Sequence, residues 1–172
     1  MKPIHVLAAL AAVLVAGCAS TQPLSAPVSL TSASPEEMVA AIDLAAGSGD
    51  SELAVQPLRD PMVEDLREQA QAARAQGRHD EAAAALDRAL AIVADDPALL
   101  QERAETALLQ SDFERAGQLA ERAFALGAQV GPLCRRHWAT IGQVRLVEGD
   151  AEGAASAQAQ VEGCKVEGPN RF

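Results

Sequence analysis

Three segments of this chain align with one another without gaps: AQGRHDEAAAALDRALAI (75–92), LQSDFERAGQLAERAFAL (109–126) and VEGDAEGAASAQAQVEGC (147–164). Gly77, Ser111 and Gly149 occupy the same place in each; Ala82, Ala116 and Ala154 follow five residues later, and Ala89, Ala123 and Val161 follow after twelve. The first two units are 34 residues apart and the next two 38. A fixed spacing in this range is the mark of stacked helical hairpins, each too small to bury its apolar face alone. Within each unit the pattern implies an A helix, a tight turn at the Gly or Ser, and a B helix. Alanine at the inner positions lets the two backbones come as close as about 8 Å. Asp60-Pro61, Asp96-Pro97 and Gly131-Pro132 each place proline in a first helical turn, where its missing N–H is not needed. Six helices are therefore predicted, at about 61–76, 79–93, 97–110, 112–126, 132–148 and 150–163. Strand-forming residues are scarce beyond the first thirty positions, so the fold class is all-α.

The third unit carries the most specific residues. Trp138, Ile141 and Gly142, followed by the turn Gly149 and the packing alanine Ala154, resemble the Trp-x-x-Leu-Gly signature of the tetratricopeptide repeat, with Ile for Leu. In the first two units Leu66 and Leu100 stand at the Trp position and Ala70 and Ala104 at the Gly position. The resemblance covers residues 61 to 163, about three repeats, and implies that Trp138 wedges between helices. It also implies a groove, lined by A helices, that binds a protein or peptide. On the matching faces lie Glu64, Arg67, Gln71 and Arg74, then Ala98, Gln101, Glu105 and Leu108, then Arg136, Ala139, Gln143 and Leu146. Arg67, Arg74 and Arg136 either receive a carboxylate of a partner or pair with Glu64 and Glu105. The family's basic clamp for peptide C-termini is not reproduced: Glu102 and Thr140 stand where polar or basic groups are wanted.

The N-terminus reads as an address. MKPIHVLAALAAVLVAGCAS has a basic Lys2 and an apolar run from Val6 to Val15, about half the roughly 20 residues that a membrane-spanning helix needs. VAGC, residues 15 to 18, resembles the lipobox of bacterial lipoproteins. That resemblance implies removal of residues 1–17, a diacylglycerol thioether and an amide-linked acyl chain on Cys18, and, from Ala19 and Ser20, sorting to the periplasmic face of the outer membrane of a Gram-negative cell. Several acyl chains make a stable anchor where one is marginal. Residues 18–60, rich in Ser, Pro and Ala, read as a tether. Within it, Ser34 as N-cap, Pro35 in the first turn and Glu37 three residues after the cap predict a short helix over 35–46. Met38, Ile42 and Ala45 share one of its faces, which either docks on the domain or fluctuates.

Cys134 falls at the start of the third A helix and Cys164 just past the end of its B helix, ends that an antiparallel hairpin brings together. In an oxidising compartment a disulfide is expected there. The last helix needs it, being mostly alanine with Gly153 inside. The tail 164–172 is too short for a capping helix, which leaves self-association of the uncapped face as an alternative to a foreign partner.

Removing residues 1–17 takes away Lys2 and no carboxylate, so 13 basic side chains then face 24 acidic ones, −11 in place of −10. An acidic surface with no aromatic stacking platform argues against nucleic acid. His79 sits among Asp80 and Glu81 at a helix start, and His137 has no ligand set at metal spacing. With no phosphate loop, nucleophile elbow or zinc-protease helix, the reading is a binding module without catalytic residues, metal or cofactor.

Overall fold

The computed structural model describes residues 28–47 and 60–165; Cys18, the segment read as a signal, about half of the one read as a tether and the end of the tail lie outside the described residues. Seven helices are described: α1 (Pro35–Ala46), α2 (Pro61–Ala75), α3 (His79–Ile92), α4 (Pro97–Leu109), α5 (Phe113–Leu126), α6 (Gly131–Val147) and α7 (Ala151–Gly163). The described residues hold no strand. From α2 onward each helix end lies within one residue of its predicted position.

Local chemistry sets those ends. The carboxylates of Asp60, Asp96, Asp112 and Asp150 accept from backbone N–H groups in the first turns of α2, α4, α5 and α7, at 2.8–3.2 Å. Each satisfies donors that have no partner within the helix and places negative charge at the positive end of the dipole. The three equivalent turns share one conformation: φ is 70° at Gly77, 59° at Ser111 and 78° at Gly149. Only glycine adopts this region without penalty, so Ser111 carries strain that its counterparts lack.

The hairpins α2/α3, α4/α5 and α6/α7 stack in order, with α3 against α4 and α5 against α6. Ala82, Ala89, Ala116, Ala120 and Ala123 are fully buried where helices press together. At Gly142 an added Cβ would lie 3.5 Å from the Cβ of Ala157, so the close approach in the third hairpin is Gly142 on Ala157. Ala154, equivalent to the buried Ala82 and Ala116, is only half-buried, because no further helix stacks on α6 and α7 among the described residues. Trp138 does lie between helices: its ring meets Phe124 of α5 at 4.7 Å, tilted by 58°, and it packs on the cluster of Ala104, Ala120, Ile141 and Ala157.

Helix α1 is docked, which settles the alternative left open above. It starts with a full capping box between Ser34 and Glu37 and runs antiparallel to α6, touching α4 as well. The Leu30 N–H bonds the Leu146 carbonyl at one end, and Arg135 holds the Ala46 carbonyl at the other. Met38, Val39, Ile42 and Ala46 are buried; Ala45 is half-exposed. At the far end of α6, Cys134 and Cys164 are joined with their Cα atoms 5.7 Å apart, and the Gly131 N–H bonds the Cys164 carbonyl at 2.7 Å. That bond serves the first turn of α6, whose N-cap residue Val130 has no side-chain acceptor.

Candidate functional site: the A-helix face and its resident helix

The face formed by α2, α4 and α6 is where the sequence places a groove, and α1 lies over its α4/α6 part. Of the proposed groove residues, Gln101 and Glu105 are about 1% exposed and unavailable to a ligand. They are buried because α4 is the central A helix, flanked by α2 and α6 and covered by α1. Gln71 on α2 remains exposed, and Gln143 on α6 is half-buried beside α1.

The three arginines pair within the protein. Arg67 on α2 donates to Glu102 of α4 at 3.0 Å and to Glu64 at 3.1 Å, and both carboxylates hold its pKa above the ordinary value. Arg74 and Arg136 both reach Glu105, at 3.4 and 2.7 Å, while Arg136 also meets Asp43 of α1 at 2.7 Å. Asp43, Arg136, Glu105 and Arg74 thus alternate in sign across four helices, α1, α6, α4 and α2. Burying Glu105 alone would be costly; two arginines make it tolerable. Sequence reasoning left these arginines either to a partner's carboxylate or to Glu64 and Glu105, and did not foresee Glu102 and Asp43 among their partners.

Beneath this chain lies a polar core. The Gln101 amide donates to Thr140 Oγ1 at 2.8 Å and to Glu105 Oε1 at 3.0 Å, which turns its Oε1 toward His137 Nδ1, 2.7 Å away. Thr140 Oγ1 in turn donates to the Arg136 carbonyl. The network assigns the proton of His137 to Nδ1, leaving Nε2 buried without a partner. Burial, and then the charge of Arg136, lower the His137 pKa to about 4, so the ring is neutral. Thr140, which the sequence places where the groove wants a partner-binding group, and His137 are both fully buried.

Between α1, α6 and α7 an open cleft of about 420 Å³ is lined by Leu30, Ala41, Ala45, Trp138, Leu146 and Val161, among others. This is where a further A helix would stack. Its lining offers apolar contact with little charge. Among the described residues no group of three or more His, Cys, Asp and Glu can hold a metal, and no helix is long and apolar enough to cross a membrane.

No family model matches the chain, and no curated protein does. Among solved structures, the chain is similar to the globular C-terminal domain of LpoP from P. aeruginosa, with 31% identity and a TM-score of 0.57 over 61% of this chain and 99% of that one. At that identity, over essentially the whole of that domain, the chain belongs to the same family as the LpoP C-terminal domain.

Proposed function

We propose that the chain is a lipid-anchored protein of the Gram-negative envelope whose helical array binds a protein partner through its A-helix face. One observation carries the binding reading. The face already holds a helix, α1, by apolar contacts along one stripe and by arginines that meet an acidic side chain and a helix C-terminal carbonyl. Grooves that take amphipathic helices work by this division, apolar anchors for affinity and charged groups for register. The anchor rests on the lipobox ending at Cys18 and the periplasmic location on Ala19 and Ser20. The kinship with the LpoP C-terminal domain supports an array carried at the end of a longer chain.

A photoreactive residue at Gln71 or Gln143 should crosslink one and the same envelope protein in intact cells, while the exposed Gln118 of α5, away from the A-helix face, should not. Equal capture from all three positions, or none, overturns the groove. For the anchor, the intact mass from native membranes should lack residues 1–17 and exceed the remaining polypeptide by acyl chains. Self-association through the α6/α7 cleft is the second reading, favoured because no helix among the described residues stacks there; a size independent of concentration overturns it.

A further inference from the structure

We propose that α1 is a displaceable occupant of the α4/α6 groove, held in cis, and that a trans ligand reaching this groove is an acidic amphipathic helix that repeats its pattern. The inference rests on the protein-binding reading and adds how access is regulated. Three observations carry it.

First, α1 belongs to no hairpin. Each of the other six helices packs against a partner that its own tight turn brings back, whereas α1 is joined to α2 only through residues 48–59 and packs on α6 and α4. Second, the seat keeps the pairing of its buried carboxylate, Glu105, without α1. Arg136, the residue that meets Asp43, also holds Glu105 at 2.7 Å, and Glu105 is further met by Arg74 and Gln101. Departure of α1 therefore leaves Glu105 paired, the loss of which would be the expensive event, while the buried Arg135 gives up the Ala46 carbonyl. Asp43 itself is largely solvent-exposed in place, so its release costs little. Third, what α1 contributes is a narrow apolar stripe. Val39 and Ile42 meet Ala107, Leu108, Ala116 and Val144. A helix with large apolar residues at the places of Met38, Val39 and Ile42, an acid directly after the last and its C-terminus turned to Arg135 satisfies the same seat.

A tethered helix competes at an effective concentration near the millimolar range, so α1 raises the ligand concentration needed without abolishing binding. A stronger helix of this chemistry wins the groove.

The test uses the mature chain with Cys18→Ser and a protease site inserted within residues 48–59, folded first and cut afterwards. The probe is a fluorescent peptide of residues 33–47. After cutting and removal of the released segment, the peptide should bind saturably, and its Asp43→Asn form several-fold more weakly. The uncut chain should need on the order of a hundredfold more peptide or greater. Failure of the cut chain to exchange α1 for peptide, with its helicity unchanged, overturns the proposal and makes α1 a fixed part of the fold. Loss of helicity when α1 leaves overturns it likewise, as does equal binding before and after the cut. These outcomes are separate from the crosslinking result: a partner captured at Gln71 beside an α1 that never exchanges keeps the binding reading and removes only the regulation.

Discussion

In the first hairpin, α3 turns Ala82, Ala85, Leu86 and Ala89 onto Val63, Leu66, Ala70 and Ala73 of α2, and Leu99 of α4 completes an entirely apolar cluster. In the third hairpin, α7 buries only Ala157 and Val161 within its length, and the neighbouring α4/α6 contact adds to its apolar residues a buried polar set of Gln101, Thr140, His137 and Glu105. The same repeat is thus closed at one end by hydrophobic burial alone and at the other by a covalent bond beside a core that is part apolar and part hydrogen-bonded. Apolar closure tolerates many partners of similar volume, whereas a polar network admits only the arrangement that satisfies every group. The difference teaches that the repeat pattern specifies a shape, and that each copy finds its own means of holding it.

The largest effect expected from breaking this contrast is at Glu105. Glu105→Ala leaves Arg136 and Arg74 without their shared carboxylate and removes an acceptor of Gln101, and should cost about 3–5 kcal/mol in urea unfolding. A loss below about 1 kcal/mol would mean the network is ornamental. Next, Cys134→Ser opens a loop of 30 residues and should cost about 3–4 kcal/mol in the chain-entropy model. Hydrogen exchange should show the loss in α7, with α2 and α3 keeping their protection; uniform loss would make the hairpins one cooperative unit.

Acid should act on the polar end as well. The folded pKa of His137 is about 4 against an ordinary 6.5, so its contribution is complete above about pH 6.5 and is lost as pH falls toward 4, about 3 kcal/mol in all. His137→Gln should flatten the unfolding free energy over that window, and an unchanged slope would place the sensitivity elsewhere. The smallest effect concerns the turns. Ser111→Gly relieves a positive φ and should raise stability by about 0.5–1 kcal/mol, while Gly77→Ala, with open space around its Cβ, should lower it by about 1 kcal/mol through the backbone alone. Equal and null effects would break the equivalence of the two turns.

The helices of the array were legible because their signals are local: Asp-Pro starts, turn residues at one spacing and alanine at fixed offsets. The proximity of Cys134 and Cys164 followed from the antiparallel hairpin. What local signals do not carry is which polar residues go inside. Gln101, Glu105 and Thr140 sit on the A-helix face that a groove would expose, and they are buried because α1 and the flanking helices cover them. Whether α1 docks depends on tertiary contacts that a twelve-residue helix does not announce. Ala154 was expected at the tight contact by analogy with Ala82 and Ala116; it is half-buried, and the side chain opposite Gly142 is Ala157. Arg135, which grips the end of α1, gave no sign of its task.

The antiparallel course of α1 has a mechanical consequence. Among the described residues, a pull on the N-terminal side of the chain meets first the hydrogen bond from the Leu30 N–H to the Leu146 carbonyl, and only then Met38, Ile42 and Ala46 in turn. Tension arriving from that side peels α1 from its seat before it strains any hairpin, so a strand drawn taut would uncover the groove while the disulfide-closed end keeps its shape.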